Sequence, residues 1–90
     1  MVTIKIKGSY DLQYNDLVEK FPELAEIVDA KVKLFRKNPE DTRLENHALK
    51  RKLKGEWAFS ITDSIRIVYE WQGKTTARFL RIGGHETIYK

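Results

Sequence analysis

The chain contains no cysteine. Disulfide staples and thiolate metal sites are therefore excluded, and the usage is compatible with a reducing cytosol. Two histidines with no cysteine to join them make a zinc site an unsuitable reading. Long apolar runs are missing as well. The N-terminus, Met1-Val2-Thr3-Ile4-Lys5-Ile6-Lys7, alternates apolar with polar residues and has neither the h-region of a signal peptide nor the length of a membrane span. A phosphate-cradling glycine loop, an internal repeat and a low-complexity tract are also absent. Together these absences lead to the expectation of a soluble, cytoplasmic protein with no membrane partner, no metal and no other cofactor.

What is present suits one domain spanning residues 1–90. With 41% hydrophobic and 11% aromatic residues in 90 positions, such a chain buries about two-thirds of its unfolded surface around a single core. Its net charge of +4 is unevenly placed: residues 1–30 hold three Lys against six Asp and Glu, a sum of −3, which leaves +7 to residues 31–90. The basic clusters are Lys31, Lys33, Arg36 and Lys37, then Lys50, Arg51, Lys52 and Lys54, then Arg66, Arg78 and Arg81. Positive charge concentrated on later elements is the footprint of a polyanion binder, and it is equally what a solvated basic surface carries.

Periodicity divides the chain into a helical half and a sheet half. Val2, Ile4 and Ile6 alternate with polar residues as a short strand ended by Gly8. Ser9 is suited to capping a first helix, whose apolar face is Tyr10, Tyr14, Leu17, Val18 and Phe21. Pro22 suits the first turn of a second helix, with the stripe Leu24, Ile27, Val28, Lys31, Leu34 and Phe35, in which Lys31 snorkels. Asn38-Pro39 stops it. Residues 40–55 sustain no period, so a long loop with one helical turn at most is expected there. Three strands follow at 57–62, 65–71 and 75–82, joined by turns at Asp63-Ser64 and Gln72-Gly73, as an antiparallel meander. Trp57, Phe59, Ile61, Ile65, Ile67, Tyr69 and Trp71 would face the helices. Ala58, Ser60, Thr62, Arg66, Val68 and Glu70 would form an open face of small and polar groups. In the last strand the alternation slips, with Ala77 and Phe79 pointing one way and Leu80 and Ile82 the other, which a bulge would accommodate. The fold class expected is α+β, in the order β-α-α-β-β-β, with the meander packed against an N-terminal helical pair.

The most informative words are the last ten residues, Arg81-Ile82-Gly83-Gly84-His85-Glu86-Thr87-Ile88-Tyr89-Lys90. Two glycines weaken a strand and a His near its end adds little core, so packing gives no reason for them. A glycine pair lets the backbone turn, and an imidazole beyond it titrates near neutral pH, as proton-transfer chemistry requires.

Three stretches carry a family resemblance when taken in order: Leu49-Lys50-Arg51-Lys52-Leu53-Lys54-Gly55-Glu56-Trp57, then Ser64-Ile65-Arg66-Ile67-Val68-Tyr69, then Leu80-Arg81-Ile82-Gly83-Gly84-His85-Glu86-Thr87-Ile88-Tyr89. The first resembles the leucine-and-basic loop ending in Gly-x-aromatic of the RelE/ParE superfamily of bacterial toxins. The second resembles that family's Arg-Ile/Leu-Val-Tyr strand, and the third the Ile-Gly-x-His-x-x-x-Tyr ending of its RelE, YoeB and YafQ branches. The resemblance spans the chain, in words after residue 40 and in pattern before it.

Such a resemblance implies a ribonuclease that cuts messenger RNA in the ribosomal A site without a metal and is held inactive by a cognate antitoxin. It implies roles residue by residue. Arg66 corresponds to the arginine on the scissile phosphate, His85 to the general acid, and His47, where the YoeB branch has an acidic base, to the general base. Tyr89, Lys50, Arg51, Lys52, Lys54 and Arg81 correspond to substrate contacts. Where RelE carries lysines on the strand after the loop, this chain has Ala58 and Ser60, and the basic run 50–54 would supply positive charge in their place. The loop histidine of the YafQ branch aligns with Arg51 or with His47. Plainer readings stand beside these: Arg66 pairing with Glu70 on the sheet face, His47 as ordinary surface, Tyr89 packing the terminus. Two other functions share the resemblance, a ParE-like gyrase inhibitor without nuclease chemistry and an inactive RNA-binding or antitoxin-sequestering module.

Overall fold

Phe35 sits at zero exposure in the last turn of the second helix and organises one side of the molecule. The computed structural model describes residues 1–88, with only the backbone of Thr87. The elements are β1 (Thr3–Ile6), α1 (Gly8–Lys20), α2 (Leu24–Lys37), β2 (His47–Ala48), β3 (Trp57–Ser60), β4 (Arg66–Trp71), β5 (Thr76–Gly83) and the short α3 (His85–Ile88). They form one five-stranded sheet in the order β1-β5-β4-β3-β2. The expected meander β3-β4-β5 is antiparallel, and β1 joins its far edge parallel to β5. This is the α+β architecture anticipated from the sequence. The β4–β5 turn works because Gly73 takes φ +82°, a conformation that side chains disfavour.

Both helices lie on one face of the sheet. The alternation of β3 and β4 puts Phe59, Ile67 and Tyr69 beneath them, with Trp57, Ile65 and Trp71 at the margin. Phe35 stacks on Phe59 at a centroid distance of 4.6 Å and meets Tyr69 edge-on at 4.9 Å and Phe79 at 5.8 Å. Aromatic pairs in these geometries add about 0.5–1.5 kcal/mol each beyond their buried area. The packed helix faces depart from the periodic stripes. Phe21 is half exposed and Ile27 is exposed, while Val32 takes a packing place instead. Lys31 uses its length to donate to the Arg43 carbonyl at 3.3 Å.

Ser9 is not the helix cap. The helix begins at Gly8 after Lys7, with no side-chain cap, and the Ser9 hydroxyl donates to the Leu80 carbonyl at 2.8 Å. Nearby, the Gln13 amide oxygen accepts from the Ile82 N–H at 3.0 Å. These bonds have a simple cause. The β1–β5 pairing ends at Ile6 and Phe79, so beyond it β5 would have an unpaired edge, and α1 supplies the missing partners from its side chains.

The slip in alternation is a bulge. Tyr69 pairs with Phe79 and Val68 with Arg81, so Leu80 is the extra residue on β5. The consequence corrects one expectation: Ile82 does not follow Leu80. Leu80 and Arg81 both turn away from the helices, and Ile82 returns to the helix-side core at 1% exposure. The opposite face is also less open than its small residues suggest. Ala58 and Val68 are fully buried, because Ile88 of α3 packs on them together with Leu80 and Leu49. Among the described residues, no helix is long and apolar enough to cross a membrane.

Candidate active site

The segment expected to be a featureless loop is ordered by local bonds. Asp41 caps a 3-10 turn at Thr42–Leu44 by accepting from the Arg43 N–H at 3.0 Å, and it holds the Arg43 guanidinium at 2.8 Å. Those bonds with Arg43 lower the Asp41 carboxyl to a pKa of about 2. Leu44, fully buried, pins the turn to the core. Glu45 then adopts φ +50°, in the left-handed region, and turns the chain into β2. There His47 pairs with Ala58 and Ala48 with Trp57. A second 3-10 turn, Arg51–Leu53, leads back to β3.

Between this segment, the start of β4 and the start of α3 lies a cavity of about 510 Å³ lined by Glu45, His47, Leu49, Arg66 and His85. The sheet register explains why these residues meet. Ser60 pairs with Arg66 and Arg66 with Gly83, so the end of β3, the start of β4 and the end of β5 share one corner. His85 comes two residues after Gly83, and His47 comes in from the other side on β2. With β3 between β2 and β4, strands about 4.8 Å apart place the backbones of His47 and Arg66 roughly 12 Å from each other, a gap their side chains can narrow.

The His47 imidazole is oriented by its own turn. Its Nδ1 lies 2.9 Å from the Glu45 carbonyl. A carbonyl only accepts, so neutral His47 carries its hydrogen on Nδ1 and presents a bare lone pair at Nε2. Arg66 is not paired with Glu70, whose carboxylate instead lies 3.6 Å from Arg78. His85 is exposed at the first position of α3. A side chain at Gly84 would meet nothing nearer than the Ser64 carbonyl at 3.8 Å, so this glycine does not answer a close approach.

The structure brings together His47, Arg66 and His85 and distributes the other candidates differently. Lys50, Arg51, Lys52 and Lys54 are all exposed on the turn that begins beside the cavity wall at Leu49, and Arg51 is held at φ +61°. Arg81 does not line the cavity. Its guanidinium is half-buried, bonded to the Glu56 carboxylate and, through Nε at 3.0 Å, to the Ile88 carbonyl. Tyr89 lies outside the described residues. Glu45 was missed from sequence: an acid two residues before His47 was the available signal, but only the left-handed turn brings it to the cavity wall. It also borders a neighbouring acidic cavity of about 390 Å³ with Glu40, Asp41 and Trp57.

No protein-family profile matches the chain, and no curated protein matches it in sequence. In three dimensions it is similar to solved bacterial toxins. A structure of the E. coli DinJ-YafQ complex superposes over 100% of both chains with a TM-score of 0.81 at 16% identity. The fold is that of the YoeB and YafQ toxins. YafQ from E. coli strain BL21(DE3) covers 96% of each chain with a TM-score of 0.78 at 19% identity. A YoeB/ParE toxin from Agrobacterium tumefaciens matches over 93% of this chain and 99% of its own, with a TM-score of 0.79 at 18% identity. The YafQ-like fold accounts for the element order and for the sheet corner at which the cavity opens.

Proposed function

We propose that this chain is the toxin of a type II toxin–antitoxin pair and an endoribonuclease that cuts messenger RNA in the ribosomal A site. The observation that carries the reading is the meeting of His47, Arg66 and His85 at one cavity. A gyrase inhibitor that works by binding alone has no use for two imidazoles facing a guanidinium.

The chemistry needs only these side chains. His47 Nε2 takes the proton of a ribose 2′-hydroxyl. The 2′-oxygen bonds to the adjacent phosphorus as the bond to the 5′-oxygen breaks, and His85 gives that oxygen its proton. A 2′,3′-cyclic phosphate and a free 5′-hydroxyl result, with one proton moved from His85 to His47. Arg66 clamps the phosphate oxygens, where a guanidinium fork suits the charge of the pentavalent state. Lys50, Arg51, Lys52 and Lys54 hold the RNA backbone, including 16S rRNA around the A site, and each neutralised phosphate steepens the salt dependence. Tyr89 is proposed as a further substrate contact. The partner in the resting cell is a cognate antitoxin in the cytoplasm, a reading supported by the DinJ-YafQ complex among the similar structures. An acidic or amphipathic antitoxin segment suits the basic surface.

The test is a reconstituted translation reaction with mRNA 5′ ends mapped by primer extension. Wild-type protein should give codon-phased cuts that vanish when ribosomes are omitted. Loss of one acid–base group costs about 10²–10⁴-fold, so His85→Ala should give no visible product. Arg66→Ala should slow cleavage by about 10²–10³-fold. Intact mRNA in every lane would overturn the nuclease reading in favour of gyrase inhibition, which a supercoiling assay then checks.

A further inference from the structure

Arg81 belongs to the C-terminal words but does not line the cavity. Its surroundings are specific. The bulge at Leu80 is what turns it away from the helices, since in a regular ladder residue 81 would share the face of Ala77 and Phe79. There its guanidinium makes two bonds to two different segments. One goes to Glu56, whose N–H donates to the Leu53 carbonyl at 2.9 Å and whose carbonyl accepts from the Leu49 N–H at 2.8 Å. Glu56 therefore closes the basic loop behind His47 and Leu49. The other goes at 3.0 Å to the carbonyl of Ile88, the last residue of the turn that opens with His85. A helix-terminal carbonyl is a favourable partner for a cation, and a planar fork can serve two acceptors at fixed angles. The Glu56 and Arg81 side chains are 23% and 21% exposed, which shields the pair from most solvent screening.

We infer that Arg81 is the positioning residue that keeps the two halves of the cavity in register, holding the His47 loop through Glu56 and the His85 turn through Ile88. The inference rests on the nuclease reading for its catalytic consequence, and on geometry alone for the clamp. α3 is a single turn, and the Ile88 side chain also anchors it on Ala58, Val68 and Leu80. Without Arg81 that turn keeps its apolar foothold and loses the bond that sets its angle. Arg81 contacts RNA in neither step, so its removal should act on turnover and leave substrate affinity alone.

The experiment has a structural arm and a kinetic arm, using the full chain. In the structural arm, ¹⁵N spectra of wild-type, Arg81→Met, Arg81→Ala, Glu56→Gln and the Glu56→Ala/Arg81→Ala pair are compared. Arg81→Met should shift the His85 ring signals and raise the mobility of the 85–88 backbone, with amides of α1 and α2 unchanged. Glu56→Gln, which keeps a neutral acceptor, should give a smaller change of the same kind. The double variant should be no worse than Arg81→Ala alone, since both changes break one linkage. In the kinetic arm, kcat should fall by about tenfold or more while KM stays within about twofold. Unchanged His85 signals would overturn the clamp, as would a loss confined to KM, which marks an RNA contact. Should Arg81→Met fail to fold, Glu56→Ala releases the same guanidinium from the loop side and is judged by the same signals. If wild-type protein cuts no mRNA, the nuclease reading falls while the spectra still decide the clamp.

Discussion

The two faces of the sheet are built on different scales. Twelve described residues form the buried core on the helix side, including Phe35 and three of the four aromatic rings around it; on the far face the buried apolar cluster is Ala58, Val68, Leu80 and Ile88, with Leu49 beside them. The helix side is long-range and redundant, because α1, α2 and three strands all contribute to it. The cavity side depends on one turn of helix, a two-residue strand and a few hydrogen bonds. Cooperative stability belongs with the first, and the site proposed to admit RNA belongs with the second, since segments that move or bind come from the less stable parts of a fold.

The sharpest way to break this contrast is to damage the larger face. Phe35→Ala deletes a fully buried ring that touches Phe59, Tyr69 and Phe79. Residues from two helices and three strands surround it, so the space cannot collapse, and a loss of about 3–5 kcal/mol is expected. Urea unfolding at pH 7 measures it, with no change in slope if the transition stays two-state. A loss below about 1 kcal/mol would mean that the helices repack freely and that the two faces differ less than their packing implies.

Damage to the smaller face should read out differently. Ile88→Ala removes a side chain that is fully buried but anchors only α3. The turn can relax outward, so the global cost should sit at the low end for such a change, about 2 kcal/mol. Cleavage should fall by about tenfold or more at temperatures where the variant is still folded, because His85 rides on the same turn. Equal damage to stability with cleavage intact would separate α3 from the site.

This contrast also explains what the sequence made legible. The helix-side face is written in strong periods, two for the strands and near four for the helices, so its residues could be named in advance. The far face is not periodic. β2 is two residues long and exists because β3 offers an edge to pair with; the face of Ile82 depends on which side of the bulge it falls; and no local pattern marks the partners of Arg81, since Glu56 and the Ile88 carbonyl lie 25 and 7 positions away. His47, Arg66 and His85 were identifiable through motif resemblance and not through pattern. Glu45 entered only with a left-handed turn that no local propensity marks strongly.

One residue belongs to both faces, and it gives the finest test. Tyr69 is fully buried among the aromatic rings of the core, yet its hydroxyl donates at 2.9 Å to the side-chain oxygen of Asn46, the residue before His47. Asn46 in turn donates to the Pro39 carbonyl at 3.0 Å, so this phenol is a strut between the core and the cavity loop. Burial pushes the Tyr69 pKa up to about 12, against the opposing pull of its hydrogen bonds, and burial raises Tyr10 further still. The sign follows from linkage. A phenol whose folded pKa is raised contributes stability that is complete below its unfolded value near 10 and is lost as pH climbs from there toward 12. Tyr69→Phe should cost about 1 kcal/mol at pH 7, because Asn46 loses its donor. Above pH 10 the difference between variant and wild type should shrink, since only wild type still carries that raised phenol. Urea midpoints at pH 7 and near pH 10.5 measure both. A gap that stays constant across that range would mean the Tyr69 phenol ionises as freely in the folded chain as in the unfolded one, and the strut between the two faces would then carry no share of the alkaline response.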